Sequence, residues 1–120
     1  MTIVHYLNQF FAGLGGEESA GHEPVRLDGP QGPGRALAAA GAAPDVTLAC
    51  GDDYFAEHED EALARLLELL EAEEPDLLIA GPAFGSGRYG FACARFSRIA
   101  AERLGIPALA AMHEENPGVP

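Results

Sequence analysis

The run Gly85-Ser86-Gly87-Arg88-Tyr89-Gly90 has the G-x-G-x-x-G spacing, in which glycines let a backbone approach a phosphate while a helix N-terminus faces the anion. It follows an apolar, strand-like stretch and opens a helix-like one, the context a dinucleotide fingerprint demands. It lies, however, on the third such stretch, behind Pro82-Ala83-Phe84, whereas the fingerprint belongs to the first βαβ unit, and 120 residues leave little room for two dinucleotide halves. Glu114 or Glu115 would have to supply the acidic residue after the next strand. Two other readings stand beside this one. The run can be a turn that packs a helix close to a sheet. More attractively, free N–H groups at the helix start and the Arg88 guanidinium can hold a small carboxylate or phosphate.

Cys50 ends an earlier apolar run, directly before Gly51-Asp52-Asp53-Tyr54-Phe55. A thiolate there would be a nucleophile or redox group. Two adjacent aspartates raise a thiol's pKa, and a lone cysteine ending a buried strand usually serves as a small core hydrophobe, so a structural role is favoured for Cys50 and more strongly for Cys93. His113-Glu114-Glu115-Asn116 follows the last apolar run and brings a titratable ring to the same rim. With Asp52, Asp53, Glu17 and Glu18 it offers metal ligands, but no H-x-H or H-E-x-x-H spacing supports a site and no metal is expected. His5 reads as a satisfied core histidine, His22 and His58 as loop and helix-surface residues, and the acidic run 57–61 as a solvated helix start.

Charge narrows the field. Seven basic residues, all arginine, against nineteen acidic ones give a net charge of −12. Phosphate backbones and anionic lipids need basic surfaces, so neither nucleic acid nor a membrane surface is expected as a partner. Without lysine the chain has no Schiff-base nucleophile, no pyridoxal anchor and no Walker lysine, and no cofactor is expected in it. The two cysteines are too far apart for a C-x-x-C unit, no apolar run approaches the roughly 20 residues of a membrane span, and the N-terminus enters a strand-like segment with no basic leader. A cytoplasmic protein forming one α/β domain over 1–120 is expected; a hydrophobic share of 48% is ample for one core.

The elements that must position these residues follow from periodicity. Apolar runs at 3–7, 46–50, 77–80 and 108–112 predict four buried strands. Leu63, Leu66, Leu67 and Leu70 fall at i, i+3, i+4 and i+7 in a helix over 58–73 that Pro75 cannot continue. A second helix over 88–104 carries Ala92, Phe96, Ile99 and Ala100 on one side and ends at Gly105; a third, alanine-rich, runs from Gly34 to near Gly41. Strands alternating with helices imply an α/β fold: an open, mostly parallel sheet of about four strands with helices on both faces, a three-layer Rossmann-like or flavodoxin-like arrangement. Ligands of such sheets gather beyond the carboxyl ends of the strands, so 8–34, 51–56, 81–90 and the residues from 113 onward are the segments to read. The first, about 25 residues rich in Gly and Pro where α/β connections usually take about 2–6, is a functional loop or an interface arm.

Taken together, Val4-His5-Tyr6-Leu7-Asn8-Gln9-Phe10-Phe11-Ala12-Gly13-Leu14-Gly15-Gly16-Glu17-Glu18, Gly32-Pro33-Gly34, Cys50-Gly51-Asp52-Asp53-Tyr54-Phe55, Ala80-Gly81-Pro82-Ala83-Phe84, Gly87-Arg88-Tyr89-Gly90 and Glu115-Asn116-Pro117-Gly118 resemble the N-terminal region of component B of the glycine, sarcosine and betaine reductases. The resemblance runs in order through essentially the whole chain. It implies a substrate-activating subunit of an oxidoreductase that cleaves the C–N bond of glycine or an N-methylated glycine. In the family a selenocysteine or cysteine in the C-terminal part attacks the α-carbon, and the carboxymethyl group passes to a small selenoprotein carrier. This chain has neither selenocysteine nor C-x-x-C, so the nucleophile is expected from another chain or a missing region, within a homo- or hetero-oligomer. A split enzyme, a stand-alone relative and a fragment are the open explanations. A non-catalytic accessory subunit, docking a partner through the first loop, and a small dinucleotide-binding protein are the alternatives. The expected substrate-binding set is Asn8, Gln9, Gly15, Gly16, Glu17, Asp52, Tyr54, Gly85, Ser86, Gly87, Arg88, Tyr89, Glu114 and Asn116. Arg88 would clamp the substrate carboxylate, Asn8 and Gln9 would orient it, and Glu17 or Glu18 would face its ammonium group, with Cys50 and His113 as catalytic candidates.

Overall fold

Ile3–Asn8 forms β1, and all six of its residues are buried. In the computed structural model, which describes residues 1–83 and 87–112, this strand occupies the middle of a five-stranded sheet. Val46–Cys50 (β3) lies parallel on one side of it and Leu77–Ala83 (β4) parallel on the other. Ala108–Met112 (β5) extends the sheet in parallel beyond β4, and Val25–Asp28 (β2) closes the opposite edge antiparallel to β3. The spatial order is β2-β3-β1-β4-β5. The four expected strands are present in mostly parallel pairing; the fifth, β2, falls inside the segment read as a loop. An edge strand of four residues buries one face only, so its signal shrinks to Val25 and Leu27 alternating with Arg26 and Asp28.

Helices lie on both faces. Glu59–Ala72 (α3) and Gly87–Leu104 (α4) sit where periodicity places them, and Gly34–Ala39 forms the short α1. A further helix, Asp52–Glu57 (α2), fills a segment expected to be a loop and ends at His58 just before α3 begins. Val4, Tyr6, Val46, Leu48, Leu78 and Ala80 form one core with Leu63, Leu66 and Leu70 of α3 and Phe96 and Ala100 of α4. The Tyr6 ring meets Phe96 edge to face, with centroids 5.3 Å apart. On the other face Leu7 and Ala49 pack with Ala12, Leu14, Val25 and Leu27, while Gly34 of α1 approaches His5. Gly105, at φ +67°, ends α4 in the left-handed conformation that favours glycine.

His5 corrects one expectation in detail. It is fully buried, but only Nε2 is engaged, 2.5 Å from the Gly81 carbonyl oxygen, while Nδ1 has no hydrogen-bond partner. A carbonyl only accepts, so Nε2 carries the proton, and burial holds the ring's pKa below its ordinary value.

The first loop returns to the sheet at the carboxyl end of β3. Gly51 N–H donates to the His22 carbonyl at 2.8 Å, and the Asp53 and Tyr54 N–H groups both donate to the Ala20 carbonyl, at 2.9 and 3.0 Å. A Cβ on Gly51 would collide with the Ala20 carbonyl and the His22 nitrogen, backbone atoms with nowhere to move. Gly51→Ala is expected to cost about 1–3 kcal/mol, the usual range for overpacking, and to appear as a lowered thermal midpoint by circular dichroism.

Candidate functional site

Beyond the ends of β1 and β3 lies a cavity of about 310 Å³ lined by Gln9, Glu17, Ala20, Asp52, Asp53, Gly87 and Arg88. The lining groups follow three strand ends, those of β1, β3 and β4. β1 ends at Asn8, so Gln9 emerges at the rim; β3 ends at Cys50, and Gly51 turns the chain into α2, whose first residues are Asp52 and Asp53. β4 leads to the start of α4, where Gly87 and Arg88 stand. Glu17 and Ala20 are carried over the top by the first loop, which makes a single 3-10 turn at Glu17–Ser19.

Two side-chain amides lock these elements together. Asn8 Nδ2 donates to Asp52 Oδ2 at 3.0 Å, while Asn8 Oδ1 accepts from the Phe11 N–H at 2.9 Å. Gln9 Oε1 accepts from the Asp52 N–H at 3.1 Å, and its Nε2 donates to the Gly16 carbonyl at 3.3 Å. Both ends of each amide are used, so neither can be reversed without losing bonds. Arg88 pairs with the Asp53 carboxylate. Their side chains are 59% and 46% exposed, and an ion pair so open to water is worth about 0–1 kcal/mol. Another carboxylate can therefore displace Asp53 at little cost.

Burial raises the pKa of Asp52, and the neighbouring Asp53 adds to it, while the Asn8 hydrogen bond and the Arg88 charge pull it back. Asp52 Oδ1 is buried and has no hydrogen-bond partner among the described residues. Below it the thiols of Cys50 and Cys93 are both pushed up to about 12, chiefly by burial, and Asp52 adds to both. Such thiols stay protonated at neutral pH, which weighs against Cys50 as a nucleophile.

The expected residues divide clearly. Gln9, Glu17, Asp52, Gly87 and Arg88 line the cavity, and Asn8 supports it through Asp52. Gly16 contributes a carbonyl to Gln9, but its N–H is taken by Glu18, which turns back on its own loop and not toward the cavity. Gly15 packs against Ser19 and Glu18. Tyr54 lies on α2 with its ring against His58, and Tyr89 is buried with its ring beside Phe11 and Tyr6; neither lines the cavity. Gly85, Ser86, His113, Glu114 and Asn116 lie outside the described residues. Among the described residues no group of three His, Cys, Asp or Glu side chains is placed to hold a metal ion. Asp53 and Ala20 were missing from the expected set. Asp53 had a signal, standing beside Asp52 at a strand end; Ala20 had none.

The chain as a whole is similar to known proteins. The family model for glycine/sarcosine/betaine reductase selenoprotein B matches residues 1–120. The chain belongs to this family. Among similar selenoprotein B relatives, the glycine reductase complex component B subunit gamma of Carboxydothermus hydrogenoformans is 52% identical across 98% of this chain. The sarcosine reductase complex component B subunit beta of Peptoclostridium acidaminophilum is 48% identical across 99% of it, and that organism's betaine reductase complex component B subunit beta 42% identical across 97%. The chain spans only 28% of the length of the first two and 27% of the third. No solved structure matches it. No helix among the described residues is long and apolar enough to cross a membrane.

The raised pKa of Asp52 has a consequence with a definite sign. A carboxyl group whose folded pKa exceeds its unfolded value favours the fold fully below the unfolded pKa, and that contribution is lost as pH rises through the folded pKa. Asp52→Asn is therefore expected to raise the thermal midpoint relative to wild type at mildly alkaline pH. The gain should shrink as pH falls through the folded pKa, as thermal melts across a pH series would record.

Proposed function

We propose that the cavity beyond β1 and β3 binds glycine or an N-methylated glycine for reductive C–N cleavage in a component B type reductase. The redox cysteine or selenocysteine comes from another chain or from a part of the subunit outside these residues. The observation that carries this reading is the convergence of Gln9, Glu17, Asp52, Asp53 and Arg88 on one small polar cavity in a chain of this family.

Three carboxylates face one guanidinium there, an excess of negative charge that draws the cationic end of a zwitterion. Glu17 and Asp52 face its ammonium group, accepting hydrogen bonds where it carries N–H and supplying only opposite charge where it is fully methylated, and Arg88 is the cation for its carboxylate. Arg88 gives up the weak pair with Asp53 and takes a carboxylate that its planar fork can bind through two parallel bonds. The amide groups of Asn8 and Gln9 hold Asp52 in place, so the ligand meets a rigid acceptor. Clamping both ends of so small a molecule fixes its α-carbon for an incoming nucleophile, which is how a binding subunit contributes to rate. The chain thus acts as the substrate-holding part of a larger assembly.

Arg88→Ala removes the clamp from an exposed position and leaves the core untouched. Losing a charge-assisted hydrogen bond, about 1.5–3 kcal/mol, is expected to weaken binding of glycine, sarcosine or betaine about ten- to a hundredfold by titration calorimetry. Unchanged affinity for the ligand that binds would remove Arg88 from this role. Binding of none of the three by the wild-type chain would transfer support to an accessory subunit. A thermal midpoint raised by NAD(H) or NADP(H) would instead favour a dinucleotide-binding protein.

A further inference from the structure

Parallel sheets are found with both faces covered, because crossover helices bury them on each side. Here the β4–β5 half of one face breaks that rule. Register pairs Ile79 with Leu109 and sets both, with Leu77, on the face opposite α4, on the same side as His5. Over β1 and β3 that side is covered by the first loop and α1. Over β4 and β5 no described element covers it: Leu109 is 59% exposed, Leu77 and Ile79 are half-buried, and among the described residues none of the three joins a core cluster. The main neighbours of β5 are β4 and α4.

A second observation concerns the edge of the same strand. Among the described residues β5 is the last strand of the sheet, and none of them forms a ladder with its outer N–H and C=O groups. Protected edges carry a charge, an internal proline or a bulge; the sequence Ala-Leu-Ala-Ala-Met carries no charge and no proline, and the one register shift in its ladder lies on the β4 side, between Ala80 and Ala83. An exposed aliphatic face beside such an edge is the surface of an interface.

The geometry points to one occupant: the part of component B that the longer relatives carry beyond their match to this chain. It would bring an apolar element onto Leu77, Ile79 and Leu109 and a strand to the free edge of β5. The matched stretch is only 28% of the Carboxydothermus hydrogenoformans subunit, so that protein has a large remainder on the same chain available to cover such a surface. A second copy of this chain is the poorer occupant, since each copy carries a net charge of −12 and two such molecules repel. This inference rests on family membership and is independent of which ligand the cavity holds.

Amide hydrogen exchange on two proteins tests it: this chain alone and the full-length Carboxydothermus hydrogenoformans subunit. The stretch matching β5 is expected to exchange at least tenfold more slowly in the full-length protein, while the exposed first turn of α3 exchanges alike in both. Leu109→Glu should leave the thermal midpoint of this chain unchanged, yet glutamate at the aligned position should lower that of the full-length subunit by several degrees. Equal exchange of β5 in the two proteins, or equal effects of the glutamate, would overturn the proposal. So would a concentration-dependent dimer of this chain, by sedimentation, that Leu109→Glu dissolves, because the occupant would then be a second copy.

Discussion

The pair of amide bridges from the end of β1 to the start of α2 is the interaction on which the rest of the site depends. Asn8 and Gln9 are buried, and each reaches Asp52, one to its carboxylate and the other to its backbone N–H. An amide in that setting cannot be left unpaired without a penalty of about 1–3 kcal/mol, so the end of β1 and the start of α2 keep one relative position. Asp53 then faces Arg88, and the cavity takes its shape between them. Gln9 also reaches the Gly16 carbonyl, so the same bridge ties down the first loop and brings Glu17 over the rim.

This rigidity has an electrostatic cost. Asp52 sits where burial disfavours its charge, with one oxygen lacking a partner among the described residues, above two thiols that are themselves kept protonated by burial. A core designed only for stability would place an apolar or neutral group there. On the proposed reading, the ammonium end of a ligand is drawn to this carboxylate. The Arg88–Asp53 pair is half-exposed and weak, and it holds the guanidinium at the cavity wall.

The two halves of the sheet differ in how far they are finished. Around β3 and β1 both faces are covered and the strands are wholly buried. Around β4 and β5 no described element covers one face or the outer edge, and the chain amounts to little more than a quarter of its relatives' length. A finished half that carries the ligand-facing residues and an open half that carries apolar surface suit a module that works inside a larger subunit.

The sequence by itself determined the class of fold, four of the five strands described and the helices α1, α3 and α4, because parallel strands buried on both faces read as unbroken apolar runs and packed helices repeat every three to four residues. It also determined the family, through stretches that span the whole chain. It did not disclose β2, whose single half-buried face leaves only Val25 and Leu27 as a signal, or α2, which buries only Phe55 and so shows no period before His58. Nor did it separate Glu17, which reaches the cavity, from Glu18, which caps its own loop, since both carry the same side chain one residue apart. Only the tertiary structure decided those matters, along with the pairing of Arg88 with Asp53 and the bridging of Asn8 to Asp52. Each joins residues 35 or 44 positions apart in the chain, and what brings them together is the placement of β1 between β3 and β4, a property of strand order that no local spacing encodes.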